Sequence, residues 1–209
     1  MHVLTIAILA GGRSSRMGVD KALTPVAGIP MLQRIAQTAR DVSPHLLILG
    51  RNTAPPNWPH ALPATFVPDA TRTPTGDPAG PMPALLAALE RTRTAILLLA
   101  CDMPLLTAKT LHQLLAAHDA AQPRATLALS RNPDGTTYAE PTLALYTPAI
   151  IPALQRLLVE RKGAFQPLLR EESVIGWAVP QESEHELLNV NTPEALAEAE
   201  TFLKQRTTG

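Results

Sequence analysis

The amino-acid sequence predicts an α/β fold, a three-layer α/β/α sandwich around a mostly parallel sheet. Continuous apolar runs, such as residues 3–9 and 95–100, are typical of strands buried on both faces of such a sheet. These runs alternate with segments whose apolar residues recur at helical spacing, such as residues 31–40. The chain of 209 residues is 45% hydrophobic, so it can bury one substantial core. We therefore expect a single domain over residues 1–209.

The predicted elements follow one another closely along the chain. Strands are predicted at residues 3–9, 46–49, 64–67, 95–100, 125–129 and 142–146. Helices are predicted at residues 31–40, 83–91, 111–118, 150–160 and 193–203. The last helix has the clearest start, because Thr192 can cap it and Pro193 suits its first position. Residues 53–83 contain nine prolines, so we expect mostly irregular chain there.

Composition excludes several classes of function. Eighteen basic residues balance eighteen acidic ones, so overall charge cannot recruit nucleic acid or an anionic membrane surface. Aromatic residues make up only 3% of the chain, which disfavours base-stacking platforms. The single cysteine, Cys101, excludes an internal disulfide, and no apolar run is long enough to span a bilayer. Without a signal peptide, the expected location is the cytoplasm.

The first predicted strand leads into a loop suited to binding phosphate. Gly11 and Gly12 allow close backbone approach, and the hydroxyls of Ser14 and Ser15 add donors. Three cations, Arg13, Arg16 and Lys21, lie within the same short segment. A triphosphate needs this combination of fixed donors and positive charge. The alternative is a glycine turn with solvated basic side chains, but the buried strand before the loop disfavours it.

Several motifs together resemble one enzyme family. They are, in order, Leu9-Ala10-Gly11-Gly12, Ser15-Arg16-Met17-Gly18, Asp20-Lys21, Pro68-Asp69, Gly80-Pro81, Cys101-Asp102-Met103-Pro104, Glu140-Pro141-Thr142 and Asn189-Val190-Asn191-Thr192-Pro193-Glu194. The set resembles the molybdenum cofactor guanylyltransferase family, within the MobA-like NTP transferase superfamily. That resemblance implies a Rossmann-like sheet of the nucleotide-diphospho-sugar transferase type. It also implies that residues 1–104 bind the nucleotide and residues 105–209 bind the cofactor substrate.

The resemblance implies roles for particular residues. Catalysis falls to Arg16, Lys21 and Asp102, with Asp102 as the Mg²⁺ ligand. The residues implied in nucleotide binding are Leu9, Ala10, Gly11, Gly12, Lys21, Asp69 and Asp102, and those implied in substrate binding are Gly80, Pro81, Asn189 and Asn191.

Four of these residues have a plainer structural alternative. Asp102 follows a buried strand, where ligands gather in open α/β sheets, but it could instead cap the helix after Pro104. Asp69 could be a turn residue, and the two asparagines could form Asx turns before the last helix. Cys101 is expected to pack as a small hydrophobe, because no histidine motif accompanies it.

The implied reaction transfers GMP from GTP to molybdopterin and releases pyrophosphate, with molybdoenzyme maturation proteins as possible partners. Two alternatives stay open: a cytidylyltransferase using CTP, and a nucleotide sensor without turnover. Ala10-Gly11-Gly12 resembles the guanylyl form of the family, whereas the cytidylyl form tends to have a second alanine at the place of Gly11. A missing Cβ there would leave room for a purine.

Several features depart from the family pattern. Ala84 stands where a glycine is usual, Pro83 before it is an introduced proline, and the segment before Gly80 is longer than usual. Glu140 stands where a histidine is usual. The family's asparagine after the second strand aligns with Leu49, which leaves open whether Arg51 or Asn52 contacts the base.

Overall fold

The computed structural model describes residues 3–11, 20–68, 80–132, 134–160 and 165–207. Within them the strands are β1 (Leu4–Leu9), β2 (Pro25–Val26), β3 (Ile29–Pro30), β4 (His45–Leu49), β5 (Thr65–Val67), β6 (Ala95–Ala100), β7 (Ala125–Arg131), β8 (Thr137–Tyr146) and β9 (Val174–Ala178). The α-helices are α1 (Met31–Arg40), α2 (Pro81–Thr92), α3 (Ala108–Ala121), α4 (Ile151–Val159) and α5 (Pro193–Thr207). Short 3-10 helices lie at Lys21–Leu23, Pro148–Ile150, Gln166–Arg170 and Gln181–Leu187.

Seven strands form one sheet in the order β5-β4-β1-β6-β8-β7-β9. The first four of these strands are parallel. β8 runs antiparallel to both β6 and β7, and β9 is parallel to β7. The predicted mostly parallel sheet is therefore confirmed, with β8 as its reversed strand. All four parallel strands of the first half end at one edge of the sheet.

Helices cover both faces of the sheet, as the predicted sandwich requires. Ile6 and Ile8 of β1 face α1 and α3 in one apolar cluster, which includes Leu32 and Leu111. Ala7 faces the opposite side, where a second cluster contains buried residues of α2 and α4. Because β1 is buried on both faces, its sequence is a continuous apolar run rather than an alternating one.

A third apolar cluster connects the β2–β3 hairpin with helix α5. It contains Val26 of the β2–β3 hairpin, Met31 of α1, Leu105, Val190 and Ala199 of α5, all less than 5% exposed. The Ala27 backbone N–H at the hairpin turn also donates to the Glu200 carboxylate of α5 over 3.1 Å. α5 therefore fixes the hairpin that follows Lys21 in the chain.

β8 carries an irregularity in its pairing with β7. Leu127 pairs with Ala144, but the next residue, Ala128, pairs with Glu140. The Tyr146 hydroxyl donates to the Pro141 carbonyl over 2.8 Å across this bulge. Bulges re-aim the side chains beside them. Here the bulge brings Glu140 into the sheet opposite Ala128.

No helix in the described part of the chain is both long and apolar enough to cross a membrane.

Candidate active site

The candidate site lies at the edge where β1, β4 and β6 end. The Ala10 N–H donates to the Leu49 carbonyl over 2.9 Å, and the Cys101 N–H donates to the Leu9 carbonyl over 3.2 Å. These bonds continue the parallel pairing one residue beyond the strands. The start of the predicted phosphate loop therefore lies between the ends of β4 and β6. Leu9 is partly buried and Ala10 is buried, whereas Gly11 is exposed.

Lys21 connects two residues that are far apart in sequence. Its ammonium group lies 2.7 Å from Oδ2 of Asp102 and also donates to Oδ1 of Asn191. The side chains of Lys21 and Asp102 are 16% and 21% exposed, so the pair is accessible at the surface edge. The structure thus brings together three of the predicted site residues.

A second ion pair holds the segment that carries Lys21. Asp20 caps the 3-10 helix Lys21–Leu23, because one carboxylate oxygen accepts from the Ala22 N–H over 3.2 Å. Its other oxygen pairs with the Arg51 guanidinium. Arg51 follows the end of β4, and its backbone N–H donates to the Val67 carbonyl over 3.2 Å. Asp20 therefore ties the Lys21 segment to the sheet.

Asp102 is held by its backbone as well as by Lys21. The Val190 N–H donates to the Asp102 carbonyl over 2.8 Å, which places the segment 189–191 beside the end of β6. The cap of α3 is Thr107, whose side chain accepts from the Thr110 N–H. The alternative that Asp102 caps the following helix is therefore wrong.

The other carboxylate oxygen of Asp102, Oδ1, is buried and has no hydrogen-bond partner among the described residues. A buried carboxylate oxygen without a donor is unfavourable unless a cation or a water satisfies it. The oxygen lies on a carboxylate that already faces a lysine at the sheet edge. The donor set therefore fits a hard divalent cation, which prefers carboxylate oxygens, phosphate oxygens and water.

Cys101 is not poised as a nucleophile. Burial, reinforced by the negative charge of Asp102, raises the pKa of its thiol to about 12, although Lys21 and Arg51 oppose the shift. A thiol with that pKa stays protonated near neutral pH, and the thiolate is the reactive form. Cys101 packs partly buried against the cluster under α1 and α3.

The two asparagines differ in their contacts. Asn191 is exposed and accepts from Lys21, whereas the Asn189 amide donates to the nearby Leu187 carbonyl over 3.4 Å. The Asn191 N–H also donates to the Asn189 carbonyl over 2.9 Å, which makes a tight local turn. The two amides therefore make different contacts, and their role toward metal-bound water or a substrate phosphate stays a prediction.

Gly80 and Pro81 begin α2 beside the ends of β4 and β5. Gly80 has φ +90°, a conformation that favours glycine. Together with Leu49, Val67 and Ala84 it lines a largely apolar cavity of about 230 Å³. Pro81 and Pro83 lack an N–H, so the first turn of α2 offers fewer donors than an ordinary helix start. The departure at Ala84 places a methyl group on the cavity wall.

Glu140 lies in the sheet near Asp102. It is 9% exposed. Its pKa is raised first by burial and then by the negative charge of Asp102, while a hydrogen bond from Tyr138 opposes the shift. The sequence showed Glu140 only as a departure from the family pattern. The number of residues between two strands does not show whether they are neighbours in the sheet, so the position of Glu140 near Asp102 could not be predicted.

Three predicted site residues, Gly12, Arg16 and Asp69, lie outside the described residues. The remaining residues of the predicted loop, from Arg13 to Gly18, lie outside them as well. The ion pair between Asp20 and Arg51 was not predicted. Its one sequence signal was the position of Asp20 directly before Lys21.

Comparison with known proteins places this site in a family. Residues 6–175 match the family described as "MobA-like NTP transferase domain". A "probable molybdenum cofactor guanylyltransferase" of Nostoc sp. is 33% identical over 198 residues, covering 94% of this chain and 90% of the relative. A molybdenum cofactor guanylyltransferase of Pseudomonas putida is 30% identical over 195 residues, covering 92% of this chain and 95% of the relative.

Solved structures have the same fold. Molybdopterin-guanine dinucleotide biosynthesis protein A of Archaeoglobus fulgidus superposes with a TM-score of 0.76 at 20% identity, covering 96% of this chain and 99% of the other. The 2-C-methyl-D-erythritol 4-phosphate cytidylyltransferase of Thermus thermophilus gives a TM-score of 0.69 at 18% identity, covering 98% and 100%. The α/β/α sandwich is thus shared with nucleotidyltransferases of more than one specificity. The extent of the sequence match shows that the chain belongs to the family of MobA-like NTP transferases.

Proposed function

We propose that the protein transfers GMP from GTP to the terminal phosphate of molybdopterin and releases pyrophosphate. One observation carries the proposal: Lys21 is held against Asp102 at the sheet edge, beside the start of the loop after β1. The relatives that cover most of the chain bear the name molybdenum cofactor guanylyltransferase, which supports GTP over CTP as the donor.

The proposed site has a division of roles. Arg16 and Lys21 neutralise the triphosphate, and Leu9, Ala10, Gly11, Gly12 and Asp69 contact the nucleotide. Gly80, Pro81, Asn189 and Asn191 contact the acceptor. Residues 1–104 then form the nucleotide half of a single domain and residues 105–209 the cofactor half. Molybdoenzyme maturation proteins are the proposed partners that deliver or receive the cofactor.

Asp102 is the proposed ligand of Mg²⁺, through its unpartnered Oδ1. The ion would supply positive charge to the phosphate oxygens during substitution at phosphorus. Asp102 then has two tasks. One oxygen holds the Lys21 ammonium in place, and the other is free to hold the ion. Lys21, 2.7 Å from the other oxygen of Asp102, would add its positive charge at the same place.

The protein supplies no general base in this scheme. A phosphate monoester is already largely ionised near neutral pH, because its second pKa is about 6. The remaining obstacle is repulsion between two anions brought together in one site. Fixed cations reduce that repulsion, and removing one such electrostatic contact typically costs about 10²- to 10³-fold in rate.

The first test is pyrophosphate release from GTP on addition of molybdopterin and Mg²⁺. Lys21→Ala and Asp102→Asn should each lower the rate about 10²-fold or more. Lys109→Ala is the matched control, because Lys109 is exposed on α3 and forms no ion pair with the site residues that the structure describes. Parent-like rates in both site variants would contradict the proposed catalytic roles.

The same assay separates an enzyme from a nucleotide sensor. A sensor would bind GTP without releasing pyrophosphate when molybdopterin is added. Competition between GTP and CTP, measured with Mg²⁺ present, tests the base. We expect GTP to displace CTP at lower concentration, and a preference for CTP would overturn the guanylyl assignment.

A further inference from the structure

Glu140 and Asp102 both lie beyond the same end of the pairing between β6 and β8. β6 and β8 are antiparallel, and their last described pair at this end is Leu99 with Leu143. Asp102 lies three residues beyond Leu99, and Glu140 lies three residues before Leu143. Because the strands run in opposite directions, both steps lead toward the edge that carries the site. The pairing of Glu140 with Ala128 keeps it within the sheet rather than in a surface loop.

Glu140 is a buried carboxyl group without a cationic partner. It is 9% exposed, and among the described residues no lysine or arginine forms an ion pair with it. The cation that neutralises Asp102, Lys21, makes its contacts with Asp102 and Asn191 instead. Glu140 is therefore a buried carboxyl group that a positive charge would stabilise, at the end of the strand pairing where Asp102 also lies.

Asp102 provides a second, independent observation at this place. Its Oδ1 is buried and has no partner among the described residues. An unpartnered carboxylate oxygen therefore lies beyond the end of the same strand pairing that leads to Glu140.

Resting on the proposed function, we propose that Glu140 is a second carboxylate of the divalent-cation site and binds the ion or one of its water ligands. Mg²⁺ is commonly held by one or two carboxylates together with substrate phosphates and waters. A second carboxylate increases the affinity of the site for the ion before the nucleotide arrives.

The test measures Mn²⁺ binding by the nucleotide-free protein. Binding is monitored as the loss of the free-ion signal in electron paramagnetic resonance. Glu140→Gln keeps the shape of the side chain and removes its charge, and we expect the Kd for Mn²⁺ to rise about 10- to 100-fold. Asp102→Asn should abolish the binding. Glu186→Gln is the matched control, because Glu186 is also buried but accepts hydrogen bonds from Thr107.

Thermal unfolding provides a readout that does not depend on turnover. Without metal, Glu140→Gln should unfold at the parent temperature or higher, since one of two neighbouring carboxyl groups is lost. Addition of Mn²⁺ should raise the Tm of the parent more than that of Glu140→Gln, because tighter binding to the folded state stabilises it more.

The outcomes separate this inference from the function on which it rests. If Glu140→Gln binds Mn²⁺ like the parent while Asp102→Asn does not, Asp102 holds the ion without Glu140 and the inference is overturned. If neither variant changes binding, the ion site itself is elsewhere and the proposed metal role of Asp102 fails. An equal loss in Glu186→Gln would also overturn the inference, because any buried carboxylate would then have the same effect.

Discussion

At the scale of single residues, Lys21 depends on acceptors from two distant parts of the chain. Asp102 contributes a charge and Asn191 contributes an amide oxygen. A lysine side chain has many conformers, and ordering it carries a cost in entropy. Two acceptors define one position for the ammonium group better than one acceptor does. The geometry thus assigns Asn191 a different task from Asn189, whose amide donates to the Leu187 carbonyl.

This difference predicts unequal effects of two alanine substitutions. Asn191→Ala should lower kcat/KM for GTP and molybdopterin about 10-fold or more, because the ammonium group of Lys21 loses one of its acceptors. Asn189→Ala should have the smaller effect on the same parameter. Steady-state kinetics of pyrophosphate release measure both. Equal losses would mean that the contact between Lys21 and Asn191 does not matter for turnover.

Part of this site could be predicted from sequence, and part could not. Asp102 was predictable physically, because a polar residue directly after a buried strand lies at the ligand edge of such a sheet. The partnership of Lys21 with Asn191 was not predictable in this way, since 170 residues separate them. Only the resemblance placed both in one site. Glu140 and Arg51 depend on strand neighbours and loop paths, which residue spacing does not encode.

At the scale of elements, prediction succeeded where burial was complete. β6 was predicted with its observed limits, Ala95–Ala100, because its four central residues are fully buried. β9 was missed, since Val174–Ala178 is short, contains a glycine and is buried only in part. β8 begins at Thr137, earlier than predicted. Its first residues are polar and exposed, so they lack the apolar pattern from which a buried strand is predicted. The last helix has the predicted cap, with the Ala195 N–H donating to the Thr192 hydroxyl.

The contact between α3 and β7 predicts a dependence of stability on pH. His118 is 7% exposed and forms a 2.9 Å hydrogen bond with Thr126 of β7. Burial lowers the pKa of His118, although Asp119 opposes the shift. The folded state therefore disfavours the charged form. The contribution to stability is complete above the unfolded pKa of about 6.5 and is lost as pH falls through the lower folded value.

His118→Asn should remove this part of the pH dependence, because asparagine keeps a polar group toward Thr126 but does not titrate. Urea unfolding of both proteins across pH 5 to 8 measures it. We expect the parent to lose more stability than the variant as the solution is acidified below about pH 6.5. Parallel curves for the two proteins would show that His118 does not contribute to the loss.

At the scale of the whole molecule, α5 controls the position of the hairpin after Lys21. Ala199 is fully buried in the third apolar cluster, against Val26 and Met31. The same helix follows Asn191 directly. α5 therefore packs against the hairpin that follows Lys21 and also begins just after Asn191, so it supports the two segments that form the contact between Lys21 and Asn191.

Ala199→Leu should overfill this cluster and lower the free energy of unfolding by about 1–3 kcal/mol. It should also reduce pyrophosphate release at temperatures where the protein is folded, because α5 must shift. Glu198→Leu is the matched control, since position 198 is exposed on the same helix. A destabilised Ala199→Leu protein with parent-like turnover would show that α5 stabilises the fold without positioning the site.

The joining of Val26 to Ala199 has a consequence for how the chain matures. During translation the hairpin leaves the ribosome long before α5 does, so its apolar side has no native partner until α5 has emerged. Transiently exposed apolar surface of this kind is prone to aggregation. Nascent chains that stop before Pro193 should therefore be retained by chaperones and should lack the ordered Lys21 ammonium. Catalytic competence would then be acquired only after α5 has been made, rather than once residues 1–104 have been made.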